Sequence, residues 1–206
     1  VSTVQSERAT FSLNTAVMAV AEGNYGRLAQ QRVYTTGNAR IQLDPNVWEL
    51  PGAMPEIAPS PDFVANIDQS FLTRSSVLQA WGAYGVLWPV VHQQLGVAPD
   101  LGHGRLAVVP QIPPGQHRIA GANIRLGGGA VDVTAARSGQ RLSVEVAARV
   151  AARLSLGAVV PAGSGVVSVR LDGEGVPYRL VRTARGTEVL VDAGSAGHHT
   201  LVIMLR

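Results

Sequence analysis

The chain has 206 residues, of which 46% are hydrophobic and 15% are charged. A chain of this size and composition can bury a substantial core, as one large domain or two small ones, and this excludes a disordered protein. It contains no cysteine, which excludes disulfides, a thiol nucleophile and a cysteine zinc site, and a reducing compartment is weakly favoured.

Membrane and nucleic-acid partners are not expected. No apolar run approaches the roughly 18 to 20 residues that a membrane-spanning helix needs, and the sequence does not open with an export signal. We therefore expect a soluble, cytoplasmic protein. All seventeen basic residues are arginine, a bias that is more typical of a GC-rich genome than of a phosphate-binding surface.

The two halves of the chain differ in charge and in aromatic content. Residues 1–104 carry a net charge of −3 and residues 105–206 a net charge of +6. Nine of the ten aromatic residues lie in the first half. The sequence therefore predicts two differently built modules, with their boundary at Gly104.

The first elements in the chain are two predicted helices. Residues 10–43 have the apolar spacing of helices, and Gly23 and Gly26 separate the first helix from the second. The second helix ends at Leu43, before an Asp-Pro pair. Its apolar positions are Leu28, Val33, Ile41 and Leu43.

A long irregular connection follows at residues 44–68. It carries five prolines and includes the stretch WELPGAMPEIAPSPDF, in which Glu49 and Glu56 stand. Loops of this length inside a compact domain are uncommon unless they serve a function. The alternative is that both glutamates are capping or solvent-exposed acids in a rigid linker.

A third helix is predicted over residues 70–96. Gly82 and Gly85 interrupt it, and Pro89 is expected to kink it. Its small residues would let another helix approach closely. Trp81 and Trp88 are seven residues apart, hence on nearly one face, and core packing is favoured for them over stacking on a sugar.

After Gly104 the hydrophobic period changes from helical to two. Nine segments alternate in the manner of strands and are separated by turn sequences: RLAVVP, NIRL, AVDVTAA, RLSVEVAA, ARLSLGAVV, VVSVRLDG, VPYRLVRT, TEVLVDAG and HTLVIML. This pattern predicts an antiparallel β-sandwich over residues 105–206. The fold class of the whole chain is therefore α+β.

Three helices do not enclose a core by themselves, which suggests the end of a larger domain. The segments SLNTAVMAVAEGNYGRLAQQRVYT, WELPGAMPEIAPSPDF and SVLQAWGAYGVLWPVVHQQLGVAPDLGHGRLAVVPQIP resemble the closing part of six-hairpin glycosidases. The resemblance is to bacterial amylo-α-1,6-glucosidase or glucoamylase-like enzymes of the glycogen-debranching type. It implies that residues 1–104 are the last helices of an (α/α) toroid and that residues 105–206 are an appended sandwich.

The resemblance also points to a catalytic glutamate. In glucoamylase-like members the general base follows an A-M/L-x-E pattern, which Ala53–Glu56 matches here, with Trp81 on the next helix. The rhamnosidase-like branch places its glutamate directly after a tryptophan, which selects Glu49 after Trp48. Both patterns are present, and we favour Glu56 over Glu49.

Glycoside hydrolysis needs a second carboxylic acid, which protonates the leaving oxygen. In these families the acid lies upstream, and nothing before Glu49 supplies it, so the isolated chain is predicted to be inactive. The upstream part of the toroid is the expected protein partner, and neither a metal nor a cofactor is expected. The candidate substrate-binding residues are Trp48, Asp62, Asn66, Asp68 and Arg74.

The predicted function is that of a C-terminal glycoside hydrolase fragment. Its substrate would be an α-glucan or oligosaccharide with α-glucosidic bonds, and it would supply the general base. The alternative is a non-catalytic module in which the sandwich is structural or binds glycan and the helices form a docking segment. The near absence of aromatic residues after Gly104 argues against a glycan-binding sandwich, because sugar faces are usually met by exposed Trp or Tyr.

Overall fold

The computed structural model describes residues 9–45, 50–59 and 75–206. It divides into two compact units, the first comprising Val1–Gly23 and Arg27–Pro89 and the second Asn24–Gly26 and Val90–Arg206. The first unit contains the α-helices and the second contains two large β-sheets. The predicted α+β class is confirmed.

The described helices are α1 (Ser12–Asn24), α2 (Leu28–Leu43) and α3 (Ala80–Trp88), a π-helical turn, Pro89–Gln94, that continues α3, and a short 3-10 helix, Leu101–His103. None of these helices has the length and apolar content that crossing a bilayer would require. The described strands are β1 (Ala9–Phe11), β2 (Ile57–Pro59), β3 (Val97–Asp100), β4 (Arg105–Val108), β5 (Arg118–Leu126), β6 (Gly129–Ser138), β7 (Arg141–Arg149), β8 (Arg153–Val160), β9 (Val166–Leu171), β10 (Glu174–Gly175), β11 (Arg179–Thr183), β12 (Gly186–Ser195) and β13 (His198–Leu205).

The first two predicted helices are confirmed, whereas the third begins later than predicted. Residues 75–79 are not helical, because their backbone bonds to the preceding loop. The Gln79 N–H donates to the Met54 carbonyl at 2.9 Å, and the Ser76 carbonyl accepts from the Glu56 N–H at 2.8 Å. These bonds take the place of the hydrogen bonds that would extend α3 toward its N-terminus.

Small residues form the contact between α1 and α3. Ala16 and Ala19 of α1 are fully buried, and a side chain at Gly85 of α3 would overlap Ala16. Two helix backbones can approach this closely only where the side chains between them are small. The prediction that the small residues of α3 admit a neighbouring helix is confirmed.

The second helix buries polar side chains together with two large apolar ones, Leu28 and Ile41. Asn38 is fully buried, and its Nδ2 donates to the backbone carbonyls of Ser12 at 3.1 Å and of Gly82 at 3.2 Å. Val33 and Leu43 are 70% and 69% exposed. Of the four apolar positions of the helix, Leu28 and Ile41 are therefore on the buried face that carries Asn38, whereas Val33 and Leu43 are not.

The second unit is a β-sandwich. The strand order is β10-β9-β13-β7-β6-β5 in one sheet and β11-β12-β8-β4-β3 in the other, and all nine predicted strands are present. Inward residues of both sheets share one core, whose fully buried members include Val97, Leu106, Val108, Val131, Val133, Val144, Val146, Leu154, Leu156, Leu201 and Ile203. The pairing is antiparallel except between β4 and β8, which are parallel.

The predicted division at residue 104 falls inside the second unit. Strand β3 precedes it and pairs with β4, with Val97 opposite Val108. Val97 is fully buried in the sandwich core. The segment has no strand alternation that can be read from the sequence, because it is short and contains Pro99, a residue that edge strands tolerate.

Candidate functional site

Glu56 lies where the loop meets the start of the first helix. Strands β1 and β2 pair so that Phe11 stands opposite Ile57, and the Ser12 N–H donates to the Glu56 carbonyl at 3.0 Å. On the other side, the Glu56 N–H donates to the Ser76 carbonyl at 2.8 Å. Both backbone polar groups of Glu56 are therefore held by the fold.

The side chain of Glu56 is half-buried and has a backbone partner. Its Oε2 accepts from the Ser76 N–H at 3.4 Å, a long hydrogen bond. A carboxylate that caps a turn makes this kind of contact, and so does a catalytic carboxylate held in one orientation. The role of Glu56 as general base therefore stays a prediction.

The residues around Glu56 are anchored as well. Ala53 and Met54 are 8% and 3% exposed, and the Ile57 N–H donates to Ser75 Oγ at 2.9 Å. The Ala-Met-Pro-Glu segment is thus tied to the chain that precedes α3. These hydrogen bonds and the fixed φ of Pro55 restrict the conformations open to this segment.

The other predicted site residues lie outside the described residues. These are Trp48, Glu49, Asp62, Asn66, Asp68 and Arg74. Their proposed contacts with substrate, and the choice between Glu49 and Glu56, stay predictions.

The aromatic residues of α3 are exposed rather than buried. Trp81 and Trp88 are 38% and 40% exposed, so the described part of the chain does not pack them in a core. Tyr84 lies between them in the sequence, and its ring centroid is 5.5 Å from that of Trp88. The buried face of α3 carries Gly82 and Gly85 instead, and these two glycines were the sequence signal for which side faces inward.

In the second unit, an ion pair on the six-stranded sheet joins β6 to β7. Arg149 donates to the two carboxylate oxygens of Asp132 at 2.7 and 3.1 Å, and the Asn123 N–H donates to the same carboxylate at 2.6 Å. These bonds, that from Arg149 foremost, lower the pKa of Asp132 to about 2. Hydrogen bonds to a carboxylate favour its charged form.

We expect the second unit to lose stability in acid. Backbone N–H groups also lower the pKa of Asp172 and Asp192, through Thr200 and Gly194 respectively. A lowered folded-state pKa contributes stability that is fully present above the unfolded value of about 4 and is lost as the pH falls through the folded value, about 2 for Asp132. Urea denaturation midpoints should therefore fall over this pH range.

Asp132→Asn tests this expectation. Its midpoint should be lower than that of the unmodified chain at neutral pH and should change less as the pH falls. Glu145→Gln is the control, because Glu145 is an exposed acid on β7 that makes no ion pair within the described ranges. If Asp132→Asn and Glu145→Gln have the same pH dependence, the Arg149 pair is not a source of the acid sensitivity.

Comparison with known proteins gives structural neighbours only. No family model matches the chain, and no curated protein matches it. One similar solved structure is the alpha-L-rhamnosidase from Dictyoglumus thermophilum, with 11% identity and a TM-score of 0.43, covering 59% of this chain and 14% of that one. The chain thus spans about a seventh of that protein.

Two further solved structures are also glycoside hydrolases by name. A beta-L-arabinofuranosidase from Geobacillus stearothermophilus has 14% identity and a TM-score of 0.36, covering 61% of this chain and 18% of that one. The Streptomyces avermitilis alpha-L-rhamnosidase, complexed with L-rhamnose, has 19% identity and a TM-score of 0.37, covering 59% and 11%. This chain spans less than a fifth of either protein.

Proposed function

We propose that the chain is the C-terminal part of a cytoplasmic six-hairpin glycoside hydrolase of the amylo-α-1,6-glucosidase or glucoamylase-like type. It acts on α-glucosidic bonds of a glucan or oligosaccharide. Glu56 is the general base, and the general acid lies on the part of the toroid that precedes Val1. The observation that carries the proposal is the anchoring of Glu56 between Ser12 and Ser76.

The anchoring matters because a general base must meet its water in a fixed geometry. Both backbone groups of Glu56 and one carboxylate oxygen are held by hydrogen bonds. Holding the group before substrate binds lowers the entropic cost of reaching the reactive arrangement. The carboxylate would take a proton from water as the water attacks the anomeric carbon, while the distant acid protonates the leaving oxygen.

Exposed apolar side chains on the helices support an incomplete toroid. Large apolar residues of α1, α2 and α3 are 38% to 70% exposed: Val17, Met18, Val33, Leu43, Trp81, Tyr84, Leu87 and Trp88. Exposed apolar surface of this kind marks a place where another protein surface packs. The preceding helices of the same polypeptide would cover it.

The proposal predicts that the 206-residue chain alone is inactive. It should release no glucose from maltose, isomaltose or a limit dextrin, because it lacks the general acid. A product extended with the preceding coding sequence of its gene should release glucose from at least one of them. Turnover by the chain alone would show that both carboxylates lie within it, and inactivity of both forms would favour a non-catalytic module.

The pair Trp48-Glu49 supports a second candidate, an α-L-rhamnosidase whose glutamate is Glu49. The same extended product should then hydrolyse an aryl α-L-rhamnoside in preference to the α-glucosides.

A further inference from the structure

A polar trough lies on the outer face of the five-stranded sheet. It is a shallow site, open to solvent, with a volume of about 490 Å³, and the charged side chains that border it are 49% to 75% exposed. Three small residues form its floor, and they stand in one row across the sheet, Ala98 opposite Ala107 and Ala107 opposite Ser155. The trough lies over this row because the small side chains leave space between the longer side chains of the neighbouring row, which include Arg105 and Arg153.

Two arginines stand side by side along this floor. Arg105 and Arg153 are directly paired on the parallel strands β4 and β8, where like charges would repel each other. A carboxylate balances each of them. Arg153 Nη2 donates to Asp192 Oδ2 at 2.9 Å, and Arg105 Nε lies 3.7 Å from Asp100 Oδ2.

The carboxylate of Asp192 is held in place by the backbone. Strand β12 has a bulge between Asp192 and Gly194, and the Gly194 N–H donates to Asp192 Oδ1 at 2.9 Å. Bulges of this kind redirect side chains. The Gly194 N–H and the charge of Arg153 also lower the pKa of Asp192, which keeps this wall of the trough an acceptor at neutral pH.

The opposite wall combines a carboxylate with an imidazole. His103 Nδ1 lies 2.6 Å from Asp100 Oδ1. Within the described residues, Arg153 uses one side-chain N–H for Asp192, while Arg105 and Ser155 make no side-chain hydrogen bond. Several donors therefore remain available to a ligand.

The charge pattern selects the chemistry of the ligand. An anion would meet two carboxylates and a cation would meet two guanidinium groups, whereas each hydroxyl of a neutral polyol can donate to one group and accept from the next. We propose that the trough is an accessory binding site for a neutral oligosaccharide, an α-glucan chain. The choice of glucan rests on the proposed function, but the geometry of the trough does not.

Hydrogen bonding without a stacking platform gives weak binding. No aromatic residue is among the described residues that line the trough, and a Kd of about 1 mM is expected for maltoheptaose. Titration of the full chain, labelled at alanine methyl groups, should shift the methyl resonances of Ala98 and Ala107 in a saturable manner.

Two matched arginine variants provide the test. Arg153→Gln should weaken maltoheptaose binding about tenfold. The variant removes a charged donor to the sugar and also the Arg153 hydrogen bond that positions the Asp192 carboxylate. Arg149→Gln removes a similar pair on the other sheet and should leave the affinity unchanged. The site is overturned if the two methyl groups do not shift, if Arg153→Gln binds as the unmodified chain does, or if inorganic sulfate shifts them at lower concentration than the sugar.

Failure of this site can be distinguished from failure of the proposed function. The titration reports on the trough whatever the catalytic activity of the protein, because it is read at the methyl groups of Ala98 and Ala107. Saturable binding at the trough by a chain whose extended form hydrolyses no glucoside would support the site while refuting the proposed function.

Discussion

Glu56→Gln is expected to lower α-glucoside hydrolysis by about a thousandfold in the extended product. The amide has nearly the same shape as the carboxyl group but cannot take a proton from the attacking water. The backbone hydrogen bonds of Glu56 to Ser12 and Ser76 do not depend on the side chain. Folding should therefore be preserved, and the loss should be in kcat with KM little changed.

Two further variants make this result decisive. Glu174→Gln replaces an exposed acid on β10 in the second unit and should retain full activity, which controls for the loss of one negative charge. Glu49→Gln should have a much smaller effect than Glu56→Gln. If Glu49→Gln abolishes hydrolysis and Glu56→Gln does not, the base is the glutamate that follows Trp48, and Glu56 has the capping role that its bond to Ser76 permits.

The strands could be predicted because their signal is local. Leu142, Val144 and Val146 alternate with more exposed neighbours along β7, and all three are buried. The pairing of strands is not local. The parallel contact that sets Arg105 beside Arg153 joins distant segments, and no pattern within either segment specifies it, so the trough could not be foreseen.

The helix faces were harder to predict because the usual rule holds only in part: α2 buries Leu28 and Ile41, but other large apolar residues of the helices are exposed. The sequence favours burial of large apolar residues, and on that rule Val33 and Trp88 would face inward. The structure instead brings helix backbones close at Ala16 and Gly85, and it buries Asn38 as a bridge between carbonyl groups. Close approach of this kind depends on the partner helix, which hydrophobic periodicity does not describe.

The sequence pattern identifies the Glu56 segment, but it explains only part of why the segment is held in one conformation. Proline content suggested a stiff loop. The bonds to Ser12 and Ser76 depend on where the start of α1 and the approach to α3 lie in space, and both are distant in sequence from Glu56.

The second prediction with a large effect concerns Gly96, which precedes β3. Its φ is +69°, and a side chain there would overlap the backbone of Val109. The Val109 N–H also donates to the Gly96 carbonyl at 2.9 Å, so this backbone cannot move away without losing that bond. Gly96→Ala is expected to lower the free energy of unfolding of the second unit by about 3–5 kcal/mol.

Gly104 is the matched control, because it has nearly the same backbone conformation but open space around it. Its φ is +64°, and no atom of another part of the chain lies within 4 Å of the place that a Cβ would occupy. Gly104→Ala should therefore lower the free energy of unfolding by only about 1 kcal/mol, the cost of placing alanine in a left-handed conformation. Hydrogen exchange of the central strands β8 and β13 would measure both values. If both variants lose the same free energy of unfolding, Val109 can move to make room for the methyl group. The close packing of Gly96 against Val109 would then not be important for the stability of the sandwich.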